Sequence, residues 1–155
     1  MYRPHVYVQP SDESPGYSVV PFNSSHPKMH AAWHIFAPEV MYWAPRLVHS
    51  LWGAKSIYIT ENGCAASDVV AEDGMVYDTD RVMFLRACLD QLQQAASEGV
   101  PVDGYFHWSS QDNLEWIDGF GNRFGLIYVD FETLERKPKL SAEWFRVAAR
   151  ENAVV

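Results

Sequence analysis

The chain has 155 residues, which is the size of one ordinary domain and is enough to bury a core. Its 20 acidic and 12 basic side chains give a net charge of −8, which argues against a nucleic-acid-binding protein. No apolar run approaches the roughly 20 residues that span a bilayer, and residues 1–10 lack the apolar segment of a signal peptide. Because Cys64 and Cys88 are too few for a disulfide framework, we expect free thiols and a cytoplasmic location.

The first half of the chain predicts one helix and one buried strand after a long loop. Residues 5–8 form a short extended run, and turn signals then continue to about residue 28. A helix is predicted from Pro38 to the glycine cap at Gly53, with Pro45 expected to kink or split it. Residues 57–60 predict a buried strand that ends in the turn residues 61–63.

The second half repeats the order of helix and strand. Residues 78–80 offer N-caps for the strongest helix, which ends before Gly99 and Pro101. Its predicted inward stripe consists of Val82, Leu85, Leu89, Leu92 and Ala96. Next come a strand over 104–108, a polar loop over 109–122 and a strand or hairpin arm over 124–129. Residues 137–138 are predicted to open a last helix, with Leu140, Trp144 and Val147 facing inward.

Alternating strands and helices indicate parallel βα units, but only two complete units are visible. An eight-fold βα barrel needs about 250 residues, so the chain is predicted to be one part of a larger α/β domain.

Two groups of residues could carry chemistry. Glu61 follows a buried strand at its carboxyl end, where βα barrels place catalytic groups, although a turn-capping acid fits the same four residues. Trp108 and residues 112–116 then bring aromatic rings and a carboxylate into one loop. Flat rings can stack on the apolar face of a sugar, and a carboxylate can accept two hydroxyl hydrogens. A structured hairpin loop with a buried tryptophan remains an alternative for that segment.

Four motifs together resemble glycoside hydrolase family 1, the β-glucosidases and their relatives. They are residues 59–63 (I-T-E-N-G), 108–109 (W-S), 112–116 (D-N-L-E-W) and 123–130 (R-F-G-L-I-Y-V-D). Their order and spacing are similar to the C-terminal part of that family, from about Trp33 to about Ala149. The resemblance implies an α/β fold that is the C-terminal part of a (β/α)8 TIM barrel, about strands seven and eight with the end of strand six. Residues 1–155 would then be a C-terminal fragment of a single catalytic domain.

The resemblance also assigns residues at the reacting centre. The glutamate of the T-E-N-G motif is the family's nucleophile and is Glu61 here. Tyr2 lies at the chain edge and is the candidate for the tyrosine that hydrogen-bonds that nucleophile.

The sugar-binding positions carry over in the same way. Glu115 and Trp116 would bind the non-reducing sugar, Trp108 would lie beneath it and Phe124 would line the pocket. Residues 29–33 look like a longer version of the family's M-G-W segment, so Trp33 would face the leaving group.

Several features depart from the family pattern. Ser110 and Gln111 replace two apolar residues, and Leu114 replaces the phenylalanine of the D-N-F-E-W motif. The Asn-Glu-Pro motif with the acid/base glutamate is absent from the chain. The resemblance therefore implies part of a retaining β-glycosidase, together with a complementary N-terminal chain that supplies the rest of the barrel.

The expected substrates are β-glucosides or oligosaccharides, with β-galactosides and β-fucosides also open. No cofactor, metal, nucleic acid or membrane partner is expected. A non-catalytic carbohydrate-binding fragment or a truncated product is the alternative, but a binding module would have no use for Glu61.

Overall fold

The computed structural model describes Tyr2 and residues 6–155. Of the predicted extended run over 5–8, His5 therefore lies outside the described residues. The helices are α1 (Val40–Trp52), α2 (Thr79–Ser97) and α3 (Leu140–Glu151). The strands are β1 (Tyr7–Pro10), β2 (Tyr17–Val20), β3 (Ile57–Asn62), β4 (Val102–His107), β5 (Ile127–Val129) and β6 (Arg136–Pro138).

The centre of the fold is the parallel pair β3 and β4, joined by α2. Ile57 lies opposite Val102 and Asn62 lies opposite His107. Helices α1 and α2 cover this pair, and the shared core includes Met41, Ile59, Phe84, Cys88 and Leu92. The predicted βα order is therefore confirmed, and both strands end at the same edge of the sheet.

Helix α1 begins at Val40 rather than at the predicted Pro38 and continues through Pro45. Of the kink or split predicted at this buried proline, the split does not occur, because one helix spans Val40–Trp52. Gly53 ends the helix as predicted, with a φ of 62° that suits glycine.

Two further boundaries differ from the sequence prediction. The long N-terminal loop contains the antiparallel hairpin β1–β2, with Tyr7 opposite Val20. Lys137 and Pro138 belong to β6 and pair with β5, so α3 begins only at Leu140. The hydrogen-bonded pairing of the hairpin outweighs the helix-opening preference of the proline.

The buried face of α2 is also wider than the predicted stripe. Leu85 and Leu92 are buried as predicted, whereas Ala96 is exposed. Arg81, Phe84, Cys88 and Ala95 are buried as well. The prediction missed Arg81 because a charged side chain is buried only when partners neutralise it.

Large apolar side chains remain exposed on the sheet and on α1. Trp43, Leu51 and Trp52 of α1 are 61%, 63% and 76% exposed, and Tyr58 and Phe106 of the sheet are 55% and 58% exposed. Within the described residues, β3 and β4 form a two-stranded sheet, so each strand has an open edge. No described helix has both the length and the apolar character required to cross a membrane. Surfaces of this kind are typical of a larger domain from which neighbouring units are missing.

Candidate active site

Glu61 and Trp108 lie at the carboxyl ends of the two parallel strands. The backbone N–H of Trp108 donates to the carbonyl of Asn62 at 2.9 Å, and the Tyr105 hydroxyl donates to the Asn62 side chain at 3.0 Å. A Cβ on Gly63 would lie only 1.8 Å from the carbonyl oxygen of Trp108, so this position admits only glycine without a backbone shift. Gly63, two residues after Glu61, thus allows the two strand ends to pack in direct backbone contact.

Tyr2 lies beside Glu61. The pKa of Tyr2 is raised well above its ordinary value, first by burial and then by the hydrogen bond and charge of the Glu61 carboxylate. The predicted pair of Glu61 and Tyr2 is therefore adjacent in space.

An aromatic cluster forms the wall next to these groups. Phe124 is 3% exposed and is surrounded by Tyr2, Trp33 and Trp108. The rings of Trp33 and Phe124 are nearly parallel, 6.2 Å apart at 19°. Tyr2 meets both rings edge-on, at 6.0 Å from Trp33 and 6.3 Å from Phe124. Trp33, Trp108 and Phe124, which were all predicted to contact the substrate, are thus brought together with Tyr2.

Glu115 completes this group from the loop after β4. Its pKa is raised by partial burial and by the charges of Asp118 and Glu61, while a hydrogen bond from Trp108 opposes the rise. The neighbouring Trp116 begins a 3-10 turn over Trp116–Asp118, with a φ of 42° and a side chain that is 83% exposed. The charge of Glu61 therefore acts on the Glu115 carboxyl group. The Trp116 side chain is accessible to solvent.

A buried ion cluster, which sequence reasoning missed, lies among the segments that carry the site. The Lys139 ammonium lies 2.5 Å from Asp68 and 2.7 Å from Asp112, and all three side chains are fully buried. The pKa of Lys139 is lowered by burial and by the nearby Arg81, while the two carboxylates oppose this effect. Lys139 is thus the link between the loop after β3 and the loop after β4.

Arg81 extends the cluster along α2. Its guanidinium donates to Asp68 at 2.9 Å, to Asp78, and to the carbonyl of Arg123 at 2.7 Å. Asp78, predicted as an N-cap of α2, makes no side-chain cap bond; it accepts from the backbone and hydroxyl of Ser141. It therefore joins α2 to α3 as well.

Asp112 connects the ion cluster to the loop that is predicted to bind the sugar. Its carboxylate accepts from the Arg123 guanidinium at 2.6 Å and from the backbone N–H of Gly125 at 2.9 Å. A Cβ on Gly125 would lie 2.2 Å from the backbone nitrogen of Asp112, so glycine is needed here too. The motifs at 112–116 and 123–130 are consequently one packed unit.

Comparison with known proteins identifies the family. Residues 4–154 match the sequence pattern of Glycosyl hydrolase family 1. The chain belongs to glycosyl hydrolase family 1. It is 43% identical over 128 residues to Beta-glucosidase A of Thermotoga maritima, an alignment that covers 83% of this chain and 28% of that protein. It is also 39% identical to 6-phospho-beta-galactosidase of Leptotrichia buccalis, covering 85% of this chain and 28% of that protein.

Solved structures of the family confirm the fold. A structure of the Thermotoga maritima beta-glucosidase in complex with deoxynojirimycin superposes with a TM-score of 0.89 at 38% identity, covering 97% of this chain and 33% of that chain. The family 1 chain described here thus spans about a third of the length of these relatives. The prediction of the C-terminal part of a TIM barrel is confirmed, and the exposed apolar surfaces of the sheet and α1 fit a partial barrel.

Proposed function

We propose that this chain is the C-terminal portion of one catalytic domain, residues 1–155, of a retaining β-glycosidase. The observation that carries this proposal is the placement of Glu61 at the carboxyl end of β3, where it acts on Tyr2 and Glu115 through charge. A carbohydrate-binding module has no need for a carboxylate at this position, whereas a double displacement does.

The first half of the reaction uses Glu61 as the nucleophile. One of its carboxylate oxygens attacks the anomeric carbon, and the bond from that carbon to the leaving oxygen breaks. An acid/base carboxyl group from the remainder of the barrel donates a proton to the leaving oxygen. In the second half, the same group takes a proton from water, which attacks the anomeric carbon and releases Glu61.

Tyr2 and the aromatic cluster prepare the site for this reaction. The buried Tyr2 hydroxyl stays protonated, because its pKa is raised, and can donate to Glu61. A donor at this position orients the attacking carboxylate without removing its charge. Trp108 supplies a flat surface for the sugar, the buried Phe124 supports the wall behind it, and Glu115 accepts from the sugar hydroxyls.

The charges of the site favour a neutral sugar over a sugar phosphate. Glu61 and Glu115 are close enough for their charges to interact. A phosphate dianion beside two carboxylates would be repelled, which is why we propose plain β-glucosides as substrates, with β-galactosides or β-fucosides as the next choices. A 6-phosphoglycoside that is hydrolysed faster than the unphosphorylated glycoside would overturn this choice.

The rest of the barrel is proposed to come from a complementary portion with strands one to six and the acid/base glutamate. It would cover the exposed face of α1 and pair with the open edges of β3 and β4, at a location proposed to be cytoplasmic. Purified alone, the 155-residue chain should neither hydrolyse an aryl β-glucoside nor remain soluble, because open strand edges aggregate. Mixing with the complementary portion should restore both properties, and robust turnover by the verified monomer would contradict the proposal.

The assembled enzyme permits a direct test of Glu61. Glu61→Gly should lower turnover of an aryl β-glucoside by several orders of magnitude, because no covalent intermediate can form. An added small nucleophile such as formate should restore part of the rate. Glu135→Gln, which changes an exposed carboxylate on the β5–β6 hairpin, is the matched control and should leave the rate unchanged. Near-normal turnover by Glu61→Gly without an added nucleophile would refute the assigned role.

A further inference from the structure

A hydrogen bond joins the segment of Trp33, which is proposed to face the leaving group, to the loop that carries Glu115. The indole N–H of Trp33 donates to Oδ2 of Asp118 at 3.0 Å, although the two residues are 85 positions apart in the chain. The side chain of Asn122 donates to the same oxygen at 2.8 Å. Asp118 lies in the 3-10 turn that follows Glu115, so this bond connects Trp33 to the loop that binds the sugar.

The ring contacts of Trp33 within the described part of the chain are with aromatic side chains. It is stacked with His34 at 5.5 Å and with Phe124 at 6.2 Å, and Tyr2 touches it edge-on. Such stacking contacts tolerate sliding and rotation in the plane of the ring. An indole has a single N–H donor, so a bond from that nitrogen determines which edge of the ring faces the loop.

The acceptor is itself held in place. The backbone N–H of Asp118 donates to the carbonyl of Glu115 at 2.8 Å, and the backbone N–H of Glu115 donates to the carbonyl of Gly119 at 2.7 Å. The orientation of Trp33 therefore depends on the same short turn that presents Glu115 to the sugar.

We propose that Asp118 is a positioning residue that fixes the Trp33 ring and thereby sets the preference for the leaving group. This inference rests on the proposed glycosidase function. Trp33 is half-buried, so part of the indole stays accessible beside its stacking partners. Held at one angle, that part presents a fixed surface to an aromatic leaving group, whereas a ring free to turn presents it only part of the time. Asp118 itself touches neither the reacting atoms nor the sugar in this role.

The kinetic test compares two leaving groups in the assembled enzyme. Asp118→Ala should lower kcat/KM for an aryl β-glucoside by about fivefold, the effect of losing one hydrogen bond, mainly through KM. Methyl β-glucoside, whose leaving group is too small to stack, should change by less than about twofold, within the scatter of an ordinary surface substitution. Asp118→Asn retains an acceptor oxygen and should restore most of the aryl preference. Equal losses on both substrates, or no loss on either, would overturn the proposal.

A second measurement does not depend on activity. The indole N–H of Trp33, assigned by its loss in Trp33→Phe, should give an NMR signal that moves upfield and exchanges faster with water in Asp118→Ala. Asp118→Asn should keep most of the shift, and Asp90→Ala, which removes an exposed carboxylate on α2, should leave it unchanged. An unmoved signal in Asp118→Ala overturns the positioning role. If the unsubstituted protein is inactive but the Trp33 indole signal still moves in Asp118→Ala, the glycosidase proposal fails while the Trp33–Asp118 hydrogen bond is confirmed.

Discussion

Replacement of Lys139 by methionine tests the buried ion cluster. The six charged groups of the cluster are the carboxylates of Asp68, Asp78 and Asp112 and the cations of Arg81, Arg123 and Lys139, so their formal charges balance. Lys139→Met fills a similar volume but leaves one uncompensated negative charge among fully buried side chains. Breaking a buried pair by removal of one partner costs about 3–5 kcal/mol of unfolding free energy.

Urea unfolding of the assembled barrel is the assay for Lys139→Met. Lys137→Met is the matched control, because Lys137 is only two positions away but is partly exposed and lies 3.7 Å from Glu135. Exposed pairs of that kind contribute at most about 1 kcal/mol. Adding Asp68→Asn to Lys139→Met should recover part of the loss, since it restores the charge balance. If Lys139→Met costs no more than Lys137→Met, the cluster does not stabilise the fold in the way argued.

The remaining predictions concern the sugar, the strand ends and pH. Glu115→Ala should lower kcat/KM for a plain β-glucoside at least about a hundredfold, because two charge-assisted bonds are lost; unchanged kinetics would refute its role. Gly63→Ala should lower the unfolding free energy by about 1–3 kcal/mol, because its methyl would overlap the backbone of Trp108. Gly121→Ala, whose methyl would meet its neighbour at 3.4 Å, should cost less in the same unfolding assay. Burial lowers the pKa of both His107 and His34 to about 4. Because unfolded histidine takes up its proton near pH 6.5, each of the two should lower stability by about 1.4 kcal/mol per unit as pH drops from about 6.5 to 4, and His107→Gln should remove about half of their joint slope.

Local sequence patterns were sufficient for the parallel strands and the helices around them. The β-forming run over residues 57–60 and the apolar stripe containing Leu85 and Leu92 each show, within one segment, which face of that segment becomes buried. The linked motifs identified the family because they preserve residue types at fixed spacing.

The errors have a different cause, which is pairing between distant segments. Lys139 and Asp68 are 71 positions apart, and no local pattern shows that each neutralises the other. Lys137 and Pro138 were predicted to open a helix, but they pair with β5 in the β5–β6 hairpin. The hydrogen bond from Trp33 to Asp118 likewise depends on the folded arrangement of two loops.

The contact between Gly63 and the carbonyl of Trp108 bears on how new specificities could arise in the proposed glycosidase. Because the two backbones touch, one strand cannot slide along the other without a collision, and the offset between Glu61 and Trp108 is set by main-chain atoms. Substitutions of side chains on the strands leave this offset unchanged. A change of substrate would therefore come through the loops, at Glu115 and Asp118 after β4 or at Trp33 before α1, with Glu61 held in the same place.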